Sequence, residues 1–385
     1  MSVKVAATYT ASMGIAFLVL VAPATLAFDD GQRNEPDDST KTVREESIDD
    51  LLAKYGGSAE SQRAVESALA WLAEHQLPDG SWSFDHREAC EKADGMEESC
   101  RNPGSLTEAR IAATGLALLP FLAARQTYEQ GEHRLVVAKG LRYLVKRMKR
   151  DGSLRETGGS MYSHGIATLA LCEAYALSKD ERLAAPAAAA LKHIEFAQDP
   201  VGGGWRYTPR TPGDTSVTGW QFSALRIGKT AGLPVSGPAL EKTAEFLDSV
   251  QSDNGARYGY IRPGAGAATT AIGLLSRTYL GGKRKDEALA RGVDFLAGSG
   301  PSKTNMYYNF YAGQVVFHYG GAEWEMWNEE MRDQLISFQV QDGHEKGSWY
   351  FTGDPGASAG GRHYATCMAA LNLEVYYRHP RVFQE

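Results

Sequence analysis

The chain has 385 residues, 43% hydrophobic and 23% charged, enough to bury one large core or two modest ones. Its formal net charge of -7 excludes a nucleic-acid partner reached through a basic stripe, and no basic run follows a hydrophobic segment to hold a membrane surface. Residues 1–27 read as a secretory signal. Lys4 is the positive start, Met13 to Val21 form a short apolar run, and Thr25 and Ala27 are the small residues of a cleavage site. The run is shorter than the roughly 20 residues of a spanning helix, so export to a periplasmic or extracellular space is expected, with no transmembrane segment left after cleavage. Residues 28–57, acidic and polar ("DDGQRNEPDDSTKTVREESIDD"), are expected to be a disordered linker, because they cannot bury enough apolar surface to order themselves.

From residue 58 a frame repeats. "AWLAEHQLPDGSW" holds an aromatic-aliphatic pair, Gln76, Gly80 and Trp82. The frame recurs in "RYLVKRMKRDGSL" (Met148, Gly152), "HIEFAQDPVGGGW" (Gln198, Gly202, Trp205) and "EFLDSVQSDNGARYGY" (Gln251, Gly255). "DFLAGSGPSKTNMYY" is a degenerate copy, and "LISFQVQDGHEKGSW" (Gln339, Gly343, Trp349) is the sixth. Each copy lies between two helix-period stretches. Those before it, near residues 61–75, 133–148, 181–198, 239–251, 286–297 and 325–338, are charged on one face. Those after it, near 107–124, 161–177, 216–228, 267–280, 307–319 and 362–377, are small and apolar almost all round. An amphipathic helix covers a surface and an all-round apolar one is buried. The expectation is all-α: an (α/α)6 toroid of six outer and six inner helices over residues 58–385, closed on itself and so needing no terminal cap.

Of the four cysteines, Cys90 and Cys100 lie in one polar loop. With export, a disulfide between them is expected, a zinc pair being the rival reading. Cys172 and Cys367 sit in apolar helical patterns as core thiols.

The repeated frame resembles the tryptophan-glutamine motif of squalene and terpenoid cyclases and, more widely, the prenyltransferase and squalene-oxidase repeat superfamily. The resemblance covers about residues 58–379. It implies that Gln76, Trp82, Gln198, Trp205, Gln251, Gln339 and Trp349 are structural, the glutamine capping neighbouring helix ends and the tryptophan stacking on it. A Gln amide can satisfy orphan groups at two helix ends together.

In such a ring the inner helices begin at one mouth, into which their N-termini point positive dipoles and free N–H groups. The polar residues gather there. Tyr162, His164, Arg206, Tyr207, Asp214, Trp220, Gln221, Arg257, Tyr258, Tyr307, Tyr308, Arg362 and His363 are the candidate ligand-binding residues. Thr107, Ser163, Asp214 and Thr269 stand where helix caps belong. Asp214, His164 and His363 are the catalytic candidates. The resemblance also exposes departures. Cyclases that start by protonation carry Asp-x-Asp-Asp-Thr, whereas "TPGDTSVTGW" keeps only Asp214-Thr215 and has Gly213 where the acid belongs. Asp214 is therefore expected to stay ionised as a cap. The zinc triad of protein prenyltransferases is matched by His363 alone, with Asn305 and Tyr307 at the other places. The expected metal set is accordingly none, and no cofactor is expected. Carbohydrate chemistry would need paired acids beside the aromatics Trp220, Tyr258, Tyr307 and Tyr308, and no such pair is evident. The favoured reading is a diverged toroid binding an apolar small molecule, chain or peptide at its mouth. An isoprenoid-active enzyme of cyclase or transferase type is the alternative, and oligomeric state is left open.

Overall fold

Each copy of the frame is a turn between one outer helix and one inner helix, in a computed structural model that describes residues 46–90, 100–158 and 160–383. The expected signal and the expected linker up to residue 45 lie outside the described residues. The linker's last part does not match the expectation. Residues Ile48–Tyr55 form α1, started by a reciprocal Ser47–Asp50 capping box and ended at Gly56. Trp324 Nε1 and Asn328 Nδ2 then hold the carbonyls of Tyr55 and Gly56 at 2.9 and 2.7 Å. Composition predicted disorder, but a capped turn with buried Leu52 and a docking face is enough to order it.

The outer helices are α2 (Ala59–Glu74), α4 (Arg134–Arg147), α6 (Glu181–Ala197), α8 (Gly237–Val250), α10 (Glu287–Ser299) and α12 (Gly321–Phe338). The inner helices are α3 (Arg110–Ala123), α5 (Ser160–Ser178), α7 (Thr215–Ala231), α9 (Ala267–Tyr279), α11 (Met306–Tyr319) and α13 (Ala357–Leu373). A short α14 (Val375–Arg378) follows, and the fourth turn carries a two-residue hairpin, Gln251–Ser252 with Arg257–Tyr258. Inner helices pack in the order α3, α5, α7, α9, α11, α13 and back to α3, while α12 and α13 both meet α2. That contact closes the ring. In α3 every residue from Ile111 to Ala123 is buried, the all-round apolar pattern carried into packing. Sequence placed the start of the last inner helix at Arg362; α13 includes a first turn from Ala357 but breaks at Gly361, whose φ is 58°.

Three of the six turns are pinned the same way. Gln76 Nε2 donates to Gly80 O in its own turn and to Val136 O of the next outer strand of chain, at 3.1 and 2.9 Å. Gln198 does so to Gly203 O and Ala239 O at 2.7 and 2.9 Å. Gln339 reaches Gly347 O at 2.9 Å and Ala64 O of α2 at 2.7 Å, making the seam with the joint used elsewhere. Trp82, Trp205 and Trp349 each donate their indole N–H at 2.7 Å to the preceding outer helix, at Leu72, Ile194 and Leu335. The glycine that makes the tight approach is Gly203 in the third turn and Gly347 in the sixth, one and four residues beyond the frame positions Gly202 and Gly343. Both have positive φ, and a Cβ there would lie 2.0 Å from Lys242 O and 2.2 Å from Ser67 O. Gln251 departs: its amide nitrogen meets only the exposed Asp248 carboxylate, at 3.3 Å.

The two glutamines separate a prediction. Gln198→Ala removes two buried hydrogen bonds, leaving Ala239 O with the Thr243 hydroxyl, and is expected to cost about 1–3 kcal/mol. Gln251→Ala, at a surface bond, is expected to stay within about 0.5 kcal/mol. Denaturant unfolding of both variants checks the difference, and equal costs would refute the joint assignment.

Candidate functional site

The bond between each turn and the following inner helix takes up several residues expected at the mouth. The backbone N–H of Trp82, Trp205, Tyr258 and Trp349 donates to Thr114, Thr218, Thr270 and Thr366 Oγ1, at 3.1, 3.0, 3.1 and 3.1 Å. In the second repeat His164 fills that place: Leu154 N donates to its Nδ1 at 3.1 Å, and its Nε2 meets Ala190 O of α6 at 3.2 Å. Those partners assign the proton to Nε2. Burial first, then the neighbouring His193, pushes the His164 pKa down to about 3, so the ring is neutral. His363 is likewise buried, bonded through Nε2 to Ala113 O at 3.0 Å, and pushed down to about 3 chiefly by burial. Both histidine candidates are neutral pins of the scaffold. A threonine-to-histidine replacement at one turn was the available signal.

Other candidates also point elsewhere. Gln221 Nε2 joins α7 to Met161 O at 2.8 Å. The Tyr308 hydroxyl donates to Gly300 O, and its ring lies edge-on to Trp327 of α12. Arg257 donates to Ala256 O and Arg291 O and covers the Phe295 ring, 4.0 Å from its centroid. Tyr258 is buried, its hydroxyl 3.3 Å from Arg277 Nε. Arg362 is buried in an ion pair with Glu345 at 2.8 Å. Of the prenyltransferase-like positions, Asn305 caps α11 through Tyr308 N at 2.9 Å, while Tyr307 turns to Ser216.

Tyr162, Arg206, Tyr207, Asp214 and Tyr307 do come together, joined by Tyr260 and Ser216. The Tyr207 and Tyr260 hydroxyls are 3.0 Å apart, and Ser216 Oγ is 3.0 Å from the Tyr307 hydroxyl. The Tyr162 and Tyr207 rings lie 5.9 Å apart, and the Arg206 guanidinium sits 5.7 and 6.0 Å from the Tyr207 and Tyr260 ring centroids. Tyr207 and Tyr260 are exposed, while Tyr162, Arg206, Ser216 and Tyr307 are half-buried. Behind them Trp220 stacks on Phe310 (5.6 Å, 17°) and meets Tyr311 edge-on (6.1 Å). The result is a buried aromatic cluster, the floor, beneath a group of hydroxyl-bearing side chains, the rim.

Asp214 is the expected cap: Oδ1 accepts the Val217 N–H at 2.8 Å. Burial raises its pKa, opposed by the Val217 N–H, the Tyr260 hydroxyl and Arg206, and Oδ2 has no hydrogen-bond partner among the described residues. Two further carboxylates, half-buried Glu156 and buried Asp354, were not legible as site residues. Glu156 accepts Ile111 N and Ala112 N, both at 2.9 Å, and so caps α3, where Thr107 is exposed and Ala109 makes no side-chain cap. Asp354 accepts Met306 N at 2.8 Å and Gly356 N at 2.6 Å, tying the last turn to α11. Burial raises both pKa values. Each serves a helix from the neighbouring repeat, which linear spacing cannot show. At the other end of the inner helices, Glu173 pairs with Arg378 at 2.8 Å, both buried.

The expected Cys90–Cys100 disulfide is not formed. Both are free thiols, and their sulfurs converge on His75 Nε2, at 3.5 and 3.3 Å. Cys172 and Cys367 are buried free thiols, as expected of core positions.

Asp214 yields a pH prediction. A carboxyl whose folded pKa lies above its unfolded value destabilises the fold once pH rises through that interval, and the penalty persists at neutral pH. Asp214→Asn keeps the cap and removes the charge. The variant is expected to melt higher than the wild type at pH 7, and the gain should vanish below the unfolded carboxylate range near pH ~3.9. Melting temperatures from pH 3 to 8 check this; a variant less stable at pH 7 would contradict it.

No protein-family model and no curated relative matches the chain. Solved structures do match its architecture. An α-1,6-mannanase from Salegentibacter sp. HEL1_6 is 9% identical with a TM-score of 0.56, covering 82% of this chain and 98% of its own. The type II terpene cyclase MstE from Scytonema is 13% identical with a TM-score of 0.53, over 83% and 98%. Cellobiose 2-epimerase from Bacillus thermoamylovorans B4167 is 11% identical with a TM-score of 0.57, over 82% and 98%. The chain has the terpenoid cyclase-like α/α toroid fold, which these proteins of different activities share.

Proposed function

We propose that this toroid binds an apolar chain or a peptide at its mouth, as a diverged member of the terpenoid-cyclase-like toroids. The observation that carries the reading is the aromatic floor of Trp220, Phe310 and Tyr311 beneath the rim of Tyr162, Tyr207, Tyr260 and Tyr307. Ring faces supply apolar contact area, and rim hydroxyls with Arg206 can hold a polar end. The Scytonema cyclase has been solved with geranylgeranyl dihydroxybenzoate, and a ligand of that build, chain plus polar head, suits such a mouth. Export through residues 1–27 belongs to the same proposal. No helix of the described residues is long and apolar enough to cross a membrane.

A second reading, an isoprenoid-active enzyme, is favoured by one observation. Asp214 is buried, burial raises its pKa, and Oδ2 has no hydrogen-bond partner among the described residues. Against it stands Gly213, which leaves no second carboxyl beside it.

Mass spectrometry of apolar molecules carried through purification tests the first reading. Tyr307→Ala is expected to weaken retention about tenfold, the loss of one aromatic wall, with little change in melting temperature. A wild type that carries nothing and takes up no long-chain probe would overturn it. Asp214→Asn separates the two readings: a binder keeps its ligand, whereas an enzyme working through Asp214 loses its cyclised product.

A further inference from the structure

Four ligand-type side chains meet at the seam of the ring, away from the mouth tyrosines. One ligand atom from each of His75, Cys90, Cys100 and His344 lies within 4.8 Å of all the others. His75 ends α2, Cys90 and Cys100 belong to the first turn, and His344 belongs to the sixth. We propose that these residues form a structural zinc site, Cys2His2, that clasps the first repeat to the last.

The distances fit the ion. Zinc–sulfur and zinc–nitrogen bonds of about 2.3 and 2.05 Å at a tetrahedral angle separate sulfur from nitrogen by about 3.6 Å and sulfur from sulfur by about 3.8 Å. The sulfurs of Cys90 and Cys100 lie 3.5 and 3.3 Å from His75 Nε2. His75 is also prepared as a ligand. Its Nδ1 is 2.7 Å from Trp71 O, a partner that can only accept, so the proton sits on Nδ1 and the Nε2 lone pair faces the sulfurs. The ring is further held by stacking on Trp71, centroids 4.1 Å apart. His344 meets it edge-on at 5.1 Å.

The two loops are locked together beside the cluster. Arg101 follows Cys100 and Glu345 follows His344; Arg101 N and Nη2 bond the Glu345 carboxylate at 2.6 and 2.8 Å. Arg362 joins the same carboxylate at 2.8 Å. Charge balances as well: Zn2+ displaces one proton from each thiol, and two thiolates with two neutral imidazoles leave a neutral centre. Cys100 and His75 are buried, where a net charge would be costly. Four protein ligands leave no open position, so the site is structural and not catalytic.

The full-length protein, purified without chelator and reduced, should hold one zinc per chain by elemental analysis after gel filtration. Co2+ in its place should give the visible bands and near-ultraviolet thiolate transition of a tetrahedral sulfur–nitrogen site. Cys100→Ser should abolish that transition. His344→Ala, at an exposed position that leaves both cysteines intact, should weaken zinc more than about tenfold. A chelator should lower the melting temperature of the wild type and not that of His344→Ala. Wild-type protein that binds no zinc when reduced and supplied with Zn2+ would overturn the proposal. So would a metal-free Cys90–Cys100 disulfide in protein taken from its own compartment, or full zinc binding by Cys100→Ser.

Discussion

One side-chain amide bridging two carbonyls sets the geometry on which this ring depends. At Gln76, Gln198 and Gln339 the amide nitrogen ties a turn to itself and to the next outer segment. Each bridge fixes the rotation from one helix pair to the next. The tryptophan indole then anchors the turn backward, onto the helix it has just left. At these three turns the chain is held both forward and backward, which fixes the step to the next helix pair. The seam is closed by the same joint, Gln339 reaching Ala64 of α2.

The same economy explains what remains at the mouth. Helix starts need partners for their free N–H groups, and this chain supplies them from neighbouring turns through Glu156 and Asp354 and from the adjoining residue through Asp214. Threonines and His164 are consumed by the turns. Polar groups that looked available are therefore committed to the scaffold, and the groups left facing inward are mostly tyrosines. Because burial raises all three carboxyl pKa values, negative charge at the mouth is held at a cost in free energy.

The fold was legible because its signal is periodic and local. An all-round apolar helix such as α3 and a Gly-rich turn beside a Gln and a Trp are written within about forty residues of one another. Asp214 was legible for a similar reason, since its cap partner, Val217, is three residues away. What stayed hidden depends on contacts between repeats. Glu156 lies 45 residues from Ile111, and His363 lies 250 from Ala113. Nothing near His363 in sequence says that its nitrogen is already spoken for. The cysteine pair misled for the same reason. Within the chain Cys90 and Cys100 have each other, whereas in space they have His75 and His344 too.

The seam bonds join residues 275 apart in sequence, Gln339 to Ala64, whereas the third joint spans 41, Gln198 to Ala239. Loop-closure entropy makes the distant pairing the slower one. The first five repeats can assemble in order as a growing arc, and the arc becomes a ring only when the sixth arrives. Until then α2 presents to water the face that α12 and α13 will cover. The time spent as an open arc is therefore when the chain is most exposed to pairing with another copy of itself. An N-terminal helix made early must wait for the very end of the chain before its packing is complete.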